Sequence, residues 1–201
     1  MNPLRGWIRL AALIALLAPA SLWSSPASHT RYSLDPAASS LEFTFLQAGA
    51  RSKGRFRKFD VKLDFAADAP ETSRLEVIVD VASLDTSDAE RDGVLRGPDL
   101  FDVARFPQAR FVADRLVRVA ENRYEAVGVL TIRDVERQLR VPFELRTAAS
   151  EARMTGEVTI QRLAFGVGQR EWRSTEWVGD DVTVSFALRL LPAAGRAGQD
   201  E

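Results

Sequence analysis

Five stretches of this chain alternate apolar and polar residues one by one, and no other feature narrows the fold as far. Leu41, Phe43 and Phe45 alternate with Glu42 and Thr44. Val61, Leu63 and Phe65 alternate with Lys62 and Asp64, and Leu75, Val77, Val79 and Val81 alternate with Glu76, Ile78 and Asp80. Leu139, Val141, Phe143 and Leu145 form a fourth row, and Val182, Val184, Phe186, Leu188 and Leu190 a fifth. A period of two buries one face and wets the other, which is the pattern of antiparallel sheet. Segments near 109–119, 123–133 and 153–162 repeat it less cleanly. With one longer strand over 54–65, the count reaches about eight. Polar breaks at Glu121-Asn122-Arg123 and Arg133-Asp134 predict tight hairpins. Pro142 inside a strand pattern predicts an edge or a bulge.

One stretch reads as helix. Ser87-Asp88-Ala89-Glu90 has the form of a capping box with Ser87 at the N-cap, and Gly97-Pro98 would end the helix. The expectation is an all-β chain: an eight-stranded antiparallel barrel with one short helix in a long inter-strand connection. Closure removes sheet edges, and a barrel of this size is filled by side chains or holds one small ligand.

The 201 residues fit a single domain, taken here as 31–191, with a flexible tail over 192–201. Before it, Arg5 and Arg9 precede the apolar run Leu10 to Leu17, and small residues follow. That reads as a secretory signal peptide over 1–27, cleaved after Ala20 or Ala27. The run is too short to span a bilayer, for which about 20 residues are needed.

Composition closes off most chemistry. The chain has no cysteine and one histidine, His29, so thiolate metal sites and disulfides are excluded, and no His/Cys zinc set can be assembled. Serine–histidine catalysis would have to use a histidine that precedes the first strand. No phosphate-binding glycine loop is present; Gly166-Val167-Gly168 lacks the third glycine. A net charge of −1 gives no footprint for nucleic acid. No metal and no cofactor are expected. Carboxylate pairs survive as an enzymatic option, with Asp99 and Asp102 in one turn and Glu90 and Asp92 in the helix, but such residues also serve as caps and solvated turns.

All 11 phenylalanines fall inside the domain. An aromatic-rich barrel is either a packed core or a lined cavity, and alternation alone does not separate the two. Trp172 and Trp177 lie in a polar segment, where they would pack onto the barrel, close over an apolar ligand or meet a membrane interface.

Several short segments, in order, resemble one known family. They are Tyr32-Ser33-Leu34-Asp35-Pro36 with Leu41-Glu42-Phe43, then Gly54-Arg55-Phe56 with Phe59-Asp60. Ser83-Leu84-Asp85-Thr86, Arg91-Asp92, Leu95-Arg96 and Phe101-Asp102-Val103 follow, with Phe106-Pro107 and Phe111. Gly128 to Ile132, Arg162 with Phe165-Gly166, and Asp180-Asp181-Val182 complete the set. Together they resemble the YceI-like family of periplasmic polyisoprenoid-binding proteins over about 32–190. Asp134 and Gln161 depart from residues common in that family. The resemblance implies a lipocalin-like barrel in the periplasm whose apolar tunnel holds an isoprenoid lipid, a polyprenyl phosphate or an isoprenoid quinone. It carries no catalytic residue set. On the phenylalanine-bearing face, the expected tunnel lining is Phe43, Phe45, Phe56, Val77, Val79, Phe101, Phe111 and Phe143, with Trp177 at the mouth. Arg91 and Arg96 are the candidates for a head group, because a guanidinium fork matches phosphate oxygens; pinning of the helix by ion pairs is the other reading of both. The alternative function is a hydrolase or isomerase-type enzyme acting on an apolar substrate through lumen carboxylates. A transient membrane contact and a homodimer stay open.

Overall fold

The computed structural model describes residues 28–193; the expected signal segment 1–27 lies outside them, as does most of the expected tail. Eleven strands form one sheet: β1 (Thr30–Leu34), β2 (Ser40–Gln47), β3 (Ala50–Phe56), β4 (Phe59–Phe65), β5 (Arg74–Asp80), β6 (Leu84–Asp85), β7 (Gln108–Ala120), β8 (Arg123–Ile132), β9 (Val135–Thr147), β10 (Ala152–Gln161) and β11 (Val178–Pro192). A single helix, α1 (Ala89–Arg96), lies between β6 and β7.

Eleven strands make eight wall positions. β1 and β2 lie end to end along β11, with Leu34 opposite Leu190 and Ser40 opposite Ala187. A 3-10 turn at Pro36–Ala38, capped by the Asp35 side chain, separates them. β3 and β4 lie end to end along β2 and β1. β6 continues β5 past another 3-10 turn and pairs with the end of β3. Each wall position then pairs with the next, and β1 on β11 closes the ring. The result is a closed eight-stranded antiparallel barrel with one short helix.

Both predicted hairpins form. Asn122 takes a positive φ of 55° between β7 and β8. Arg133 and Asp134 both take positive φ, 51° and 57°, as a two-residue turn between right-twisted strands requires. The arginine is held there by its guanidinium, which donates to the Leu100 carbonyl. Pro142 is paired to Glu125 on β8, but the β9–β10 ladder stops one residue away, at Phe143 opposite Gly156. The proline thus sits where its missing N–H breaks no rung.

Three boundaries differ from the sequence reading. The helix is capped by Asp88, whose carboxylate accepts from the Arg91 N–H at 3.0 Å; Ser87 instead takes a φ of 61° just before it. β11 runs to Pro192, opposite Tyr32, because Ala193 donates to the Arg31 carbonyl at 2.8 Å and extends the ladder. β1 begins at Thr30.

The barrel interior has two halves. At one end Tyr32, Leu63, Phe65, Tyr124, Phe143, Leu145 and Leu190 are buried in a close-packed core. Tyr124 bridges Phe65, edge-on at 5.5 Å, and Phe143, stacked at 5.7 Å. At the other end the wall side chains Val77, Leu130, Leu139, Val158 and Phe186 point inward yet are only partly buried. Inward apolar side chains without full burial mean that packing stops partway along the barrel. The outer wall is charged: Arg110 bonds Glu76 at 2.6 Å, and Arg140 bonds Glu125 at 3.2 Å. Such a wall faces water rather than acyl chains, unlike that of a membrane-spanning barrel.

Candidate functional site: an apolar cavity at one end of the barrel

The unfilled half encloses a cavity of about 480 Å³. That is within the range of small-molecule sites, roughly 300–1,000 Å³. Its floor is the top of the packed core, at Val61, Leu75, Val141, Met154 and Leu188. Phe43, Phe45, Phe111, Leu130, Val182, Val184 and Phe186 form its sides. α1 lies over the mouth, where Glu90, Arg91, Val94 and Leu95 reach the cavity together with Gln47, Trp172 and Val178.

The cavity exists because of how inward rows end. On β2 the row Leu41, Phe43, Phe45 is followed at the next inward position by Gln47. On β3 the position facing Phe43 is Gly54, where a Cβ would lie 2.5 Å from the Phe43 ring. The glycine lets Phe43 tilt against Phe56, with ring centroids 5.1 Å apart, and so lean on the wall instead of plugging the lumen. At Gly156 a Cβ would lie 2.6 Å from the Phe186 ring, so Phe186 is seated against its own wall in the same way.

The mouth loop between β10 and β11 is organised by Arg162, which is 5% exposed. Its Nε donates to the Gly179 carbonyl at 2.9 Å. Nη1 donates to Val167 and Trp172, and Nη2 to Ser174 and Val178. All five N–H groups of the guanidinium are used. Burial lowers the pKa of this arginine from its ordinary value, and the Asp180 carboxylate pulls it back up. Gly168, at φ 121°, leaves room for it: a Cβ there would lie 2.0 Å from Nη1.

Seven of the nine residues expected to line a tunnel border this cavity: Phe43, Phe45, Phe56, Val77, Val79, Phe101 and Phe111. Two do not. Phe143 is on the correct face but lies below the floor, stacked on Tyr124. Trp177 is 69% exposed and points away from the cavity, and Trp172 takes the place on its wall. Of the two arginines considered for a head group, Arg91 reaches the cavity. Arg96 is spent on structure, donating to the Ala82 carbonyl at 3.0 Å and the Leu84 carbonyl at 2.6 Å. Gln47 went unread; carrying the β2 alternation one step past Phe45 places it inside.

Three of the four considered carboxylates have structural posts. Asp92 accepts from the Thr86 N–H at 2.9 Å and hydroxyl at 2.7 Å. Asp102, buried with φ 50°, lies 3.5 Å from Arg105 and 4.0 Å from Arg133. Asp99 meets Arg170 at 3.5 Å. His29 sits at the packed end, bonded to Asp64 at 2.7 Å, away from the cavity. Among the described residues no cluster of His, Cys, Asp and Glu could hold a metal.

The family model for the YceI-like domain matches residues 32–190. The chain belongs to the YceI-like family. Curated relatives include a UPF0312 protein of Photorhabdus laumondii, 34% identical over 92 residues, which is 46% of this chain and 47% of that protein. The match to the curated relatives thus spans about half of their length. Burkholderia cenocepacia BcnA, a solved structure, is 30% identical and superposes with a TM-score of 0.75 over 78% of this chain and 98% of its own. A polyisoprenoid binding domain from Saccharophagus degradans implicated in plant cell wall breakdown shares the YceI-like fold at 19% identity. Its TM-score is 0.65, and the superposition covers 81% of this chain and 98% of that one.

Proposed function

We propose that this protein is a binding protein that shelters the chain of an isoprenoid lipid in its barrel, in the periplasm, without chemistry. The observation that carries the reading is the cavity: about 480 Å³, walled by inward Phe, Val, Leu and Ile from the barrel strands, with residues of α1 at one end. A prenyl chain in water costs about 25 cal/mol for each Å² of apolar surface exposed. A wall of this composition replaces that water and demands no reacting group. The neighbour from Saccharophagus degradans, described as polyisoprenoid binding, agrees with this reading, although its likeness extends to fold alone. The apolar segment at 10–17 with its arginines supports export.

An enzymatic reading needs carboxylates where an apolar substrate would lie. The acids that reach the cavity are Asp88, the cap of α1, and Glu90 in its first turn, and the depth of the cavity has none among the described residues. That distribution favours binding.

The test is organic extraction of the purified protein and mass spectrometry, against a boiled-lysate control. A near-stoichiometric isoprenoid is the expected result. Empty protein from a host rich in quinones and polyprenols would overturn the proposal.

A further inference from the structure

Of all side-chain polar atoms in the described residues, two are enclosed without any hydrogen-bond partner: Gln47 Oε1 and Arg91 Nε. Both residues border the cavity at its mouth. Buried polar atoms are rarely left unpaired, since each carries a desolvation cost of about 1–3 kcal/mol when it is. Here one donor and one acceptor share the rim of an otherwise apolar site. From this pair we infer the head-group chemistry of the ligand: an uncharged, oxygen-bearing head, a hydroxyl or a carbonyl, rather than a phosphate. The inference rests on the proposed lipid-binding function and adds the head to the chain.

The hydrogen-bond count supports it first. Arg91 Nε donates, so the head must offer an acceptor oxygen. Gln47 presents Oε1 or, with its amide turned over, Nε2, so it serves a hydroxyl or a second acceptor. The other cations on the wall are taken. Arg162 spends its five donors on backbone carbonyls, and Arg110 is held by Glu76 at 2.6 Å.

The charge count decides against phosphate. Two arginines reach the cavity with their guanidiniums, and each has a carboxylate acting on it. Arg91 lies 3.3 Å from Asp88, and Asp180 acts on Arg162; Arg110 turns outward to Glu76 at 2.6 Å. Glu90, also on the cavity wall, has no ion pair among the described residues. Counted with these partners, the groups at the mouth of the cavity leave no guanidinium without a carboxylate acting on it. The positive end of α1 is already answered by the Asp88 carboxylate at its cap. A phosphate dianion entering here would face Asp88 and Glu90 with one shared guanidinium to meet it. An uncharged oxygen would accept from Arg91 without that repulsion.

The experiment uses the full chain and three probes that displace a neutral fluorescent naphthylamine: geranylgeraniol, geranylgeranyl phosphate, and squalene as a chain with no head. Geranylgeraniol is expected to bind at least about tenfold tighter than the phosphate of the same chain, a ratio in the range one or two hydrogen bonds supply. Gln47→Leu and Arg91→Met keep side-chain volume and are each expected to bring geranylgeraniol down toward squalene without weakening squalene. Squalene binding also reports that the variants are folded. Glu90→Gln, at an exposed position, is expected to raise the affinity for geranylgeranyl phosphate. The inference fails if the phosphate binds tighter than the alcohol, or if both polar substitutions leave the alcohol unaffected. If none of the three probes binds, squalene included, the lipid-binding function itself fails, and that outcome is distinct from a wrong head group.

Discussion

Arg162 shows how one buried cation can shape a site it does not touch chemically. Its five N–H groups close on five carbonyls spread from Val167 to Gly179, which turns an irregular loop into a fixed part of the mouth. Replacing it with Ala leaves those carbonyls without their donor. The expected loss is about 3 kcal/mol or more, by the cost of buried unsatisfied groups. Thermal melting measures it, and limited proteolysis should cut within 166–178 before the barrel unfolds; an unchanged melt with no new cut would refute the role. Arg162→Lys should recover only part, since an ammonium has three donors. Half-buried surface carboxylates act differently. Glu151 is held below its ordinary value of 4.5, chiefly by the hydrogen bond from Arg189 at 2.6 Å. Asp85 is held below 3.8, first by the Ser87 N–H and then by Arg55. A carboxylate depressed in the folded state stabilises above the unfolded value, and that contribution is lost as pH falls through the folded one. The melting temperature should therefore drop as pH falls below the ordinary carboxylate range. The gap between wild type and Glu151→Gln should close over the same interval; a gap that persists in acid would argue against the ion pair as its cause.

Inward positions along the wall strands fall in two environments, and substitutions separate them. Leu145 on β9 is buried in the packed end, and Leu145→Ala should cost about 3 kcal/mol by the usual penalty for a core cavity. Val184 on β11 faces the cavity and is only partly buried. Val184→Phe should grow into free space, changing stability by no more than about 1 kcal/mol, while reducing the lipid recovered on extraction. Denaturant melts and extraction yields on the two variants check both halves; a large destabilisation by Val184→Phe would mean the space is not free. The same contrast explains what the amino-acid sequence made legible. Alternation encodes which side of the sheet a residue faces, because water and interior differ chemically, so Phe43, Val77 and Phe111 were placed on the right face. It does not encode height along the barrel, so Phe143 shared the face and missed the cavity. Irregular loops have no period at all. Trp172 and Trp177 looked alike until Arg162 fixed the loop, and then one turned in and the other out. The division of wall strands at Asp35 and Arg57 was equally silent, since β1 and β2 stay in line along β11 across their break.

The proposed binding of a water-insoluble chain predicts that the barrel meets the phase in which that chain dissolves, through the end bearing the mouth. Three of the exposed large hydrophobic residues lie there: Trp177 at 69%, Leu46 at 50% and Val94 at 42% exposure. Leu46 and Trp177 are neighbours, since the Trp177 carbonyl accepts from Ala48 at 2.7 Å and Leu46 packs on Gly179. Val94 borders the cavity from α1. A tryptophan with its body exposed beside a leucine suits the interface of a bilayer, where the ring dissolves and its N–H stays wet. The loops at this end interleave Arg170 and Arg173 with Glu171 and Glu176, so docking should depend on apolar contact and be insensitive to salt. The measurement is quenching of Trp177 by brominated phosphatidylcholine in neutral vesicles, using a full chain in which Trp7, Trp23 and Trp172 are changed to Phe. Trp177 should be quenched to the same extent at low and high ionic strength. Leu46→Asp should relieve the quenching. The segment 1–27 can carry the chain to vesicles by itself, and this is why the readout is confined to one residue of the rim. A chain that sediments with vesicles while Trp177 stays unquenched would show that the mouth faces away from the bilayer, and the lipid would then have to arrive by another route than direct docking.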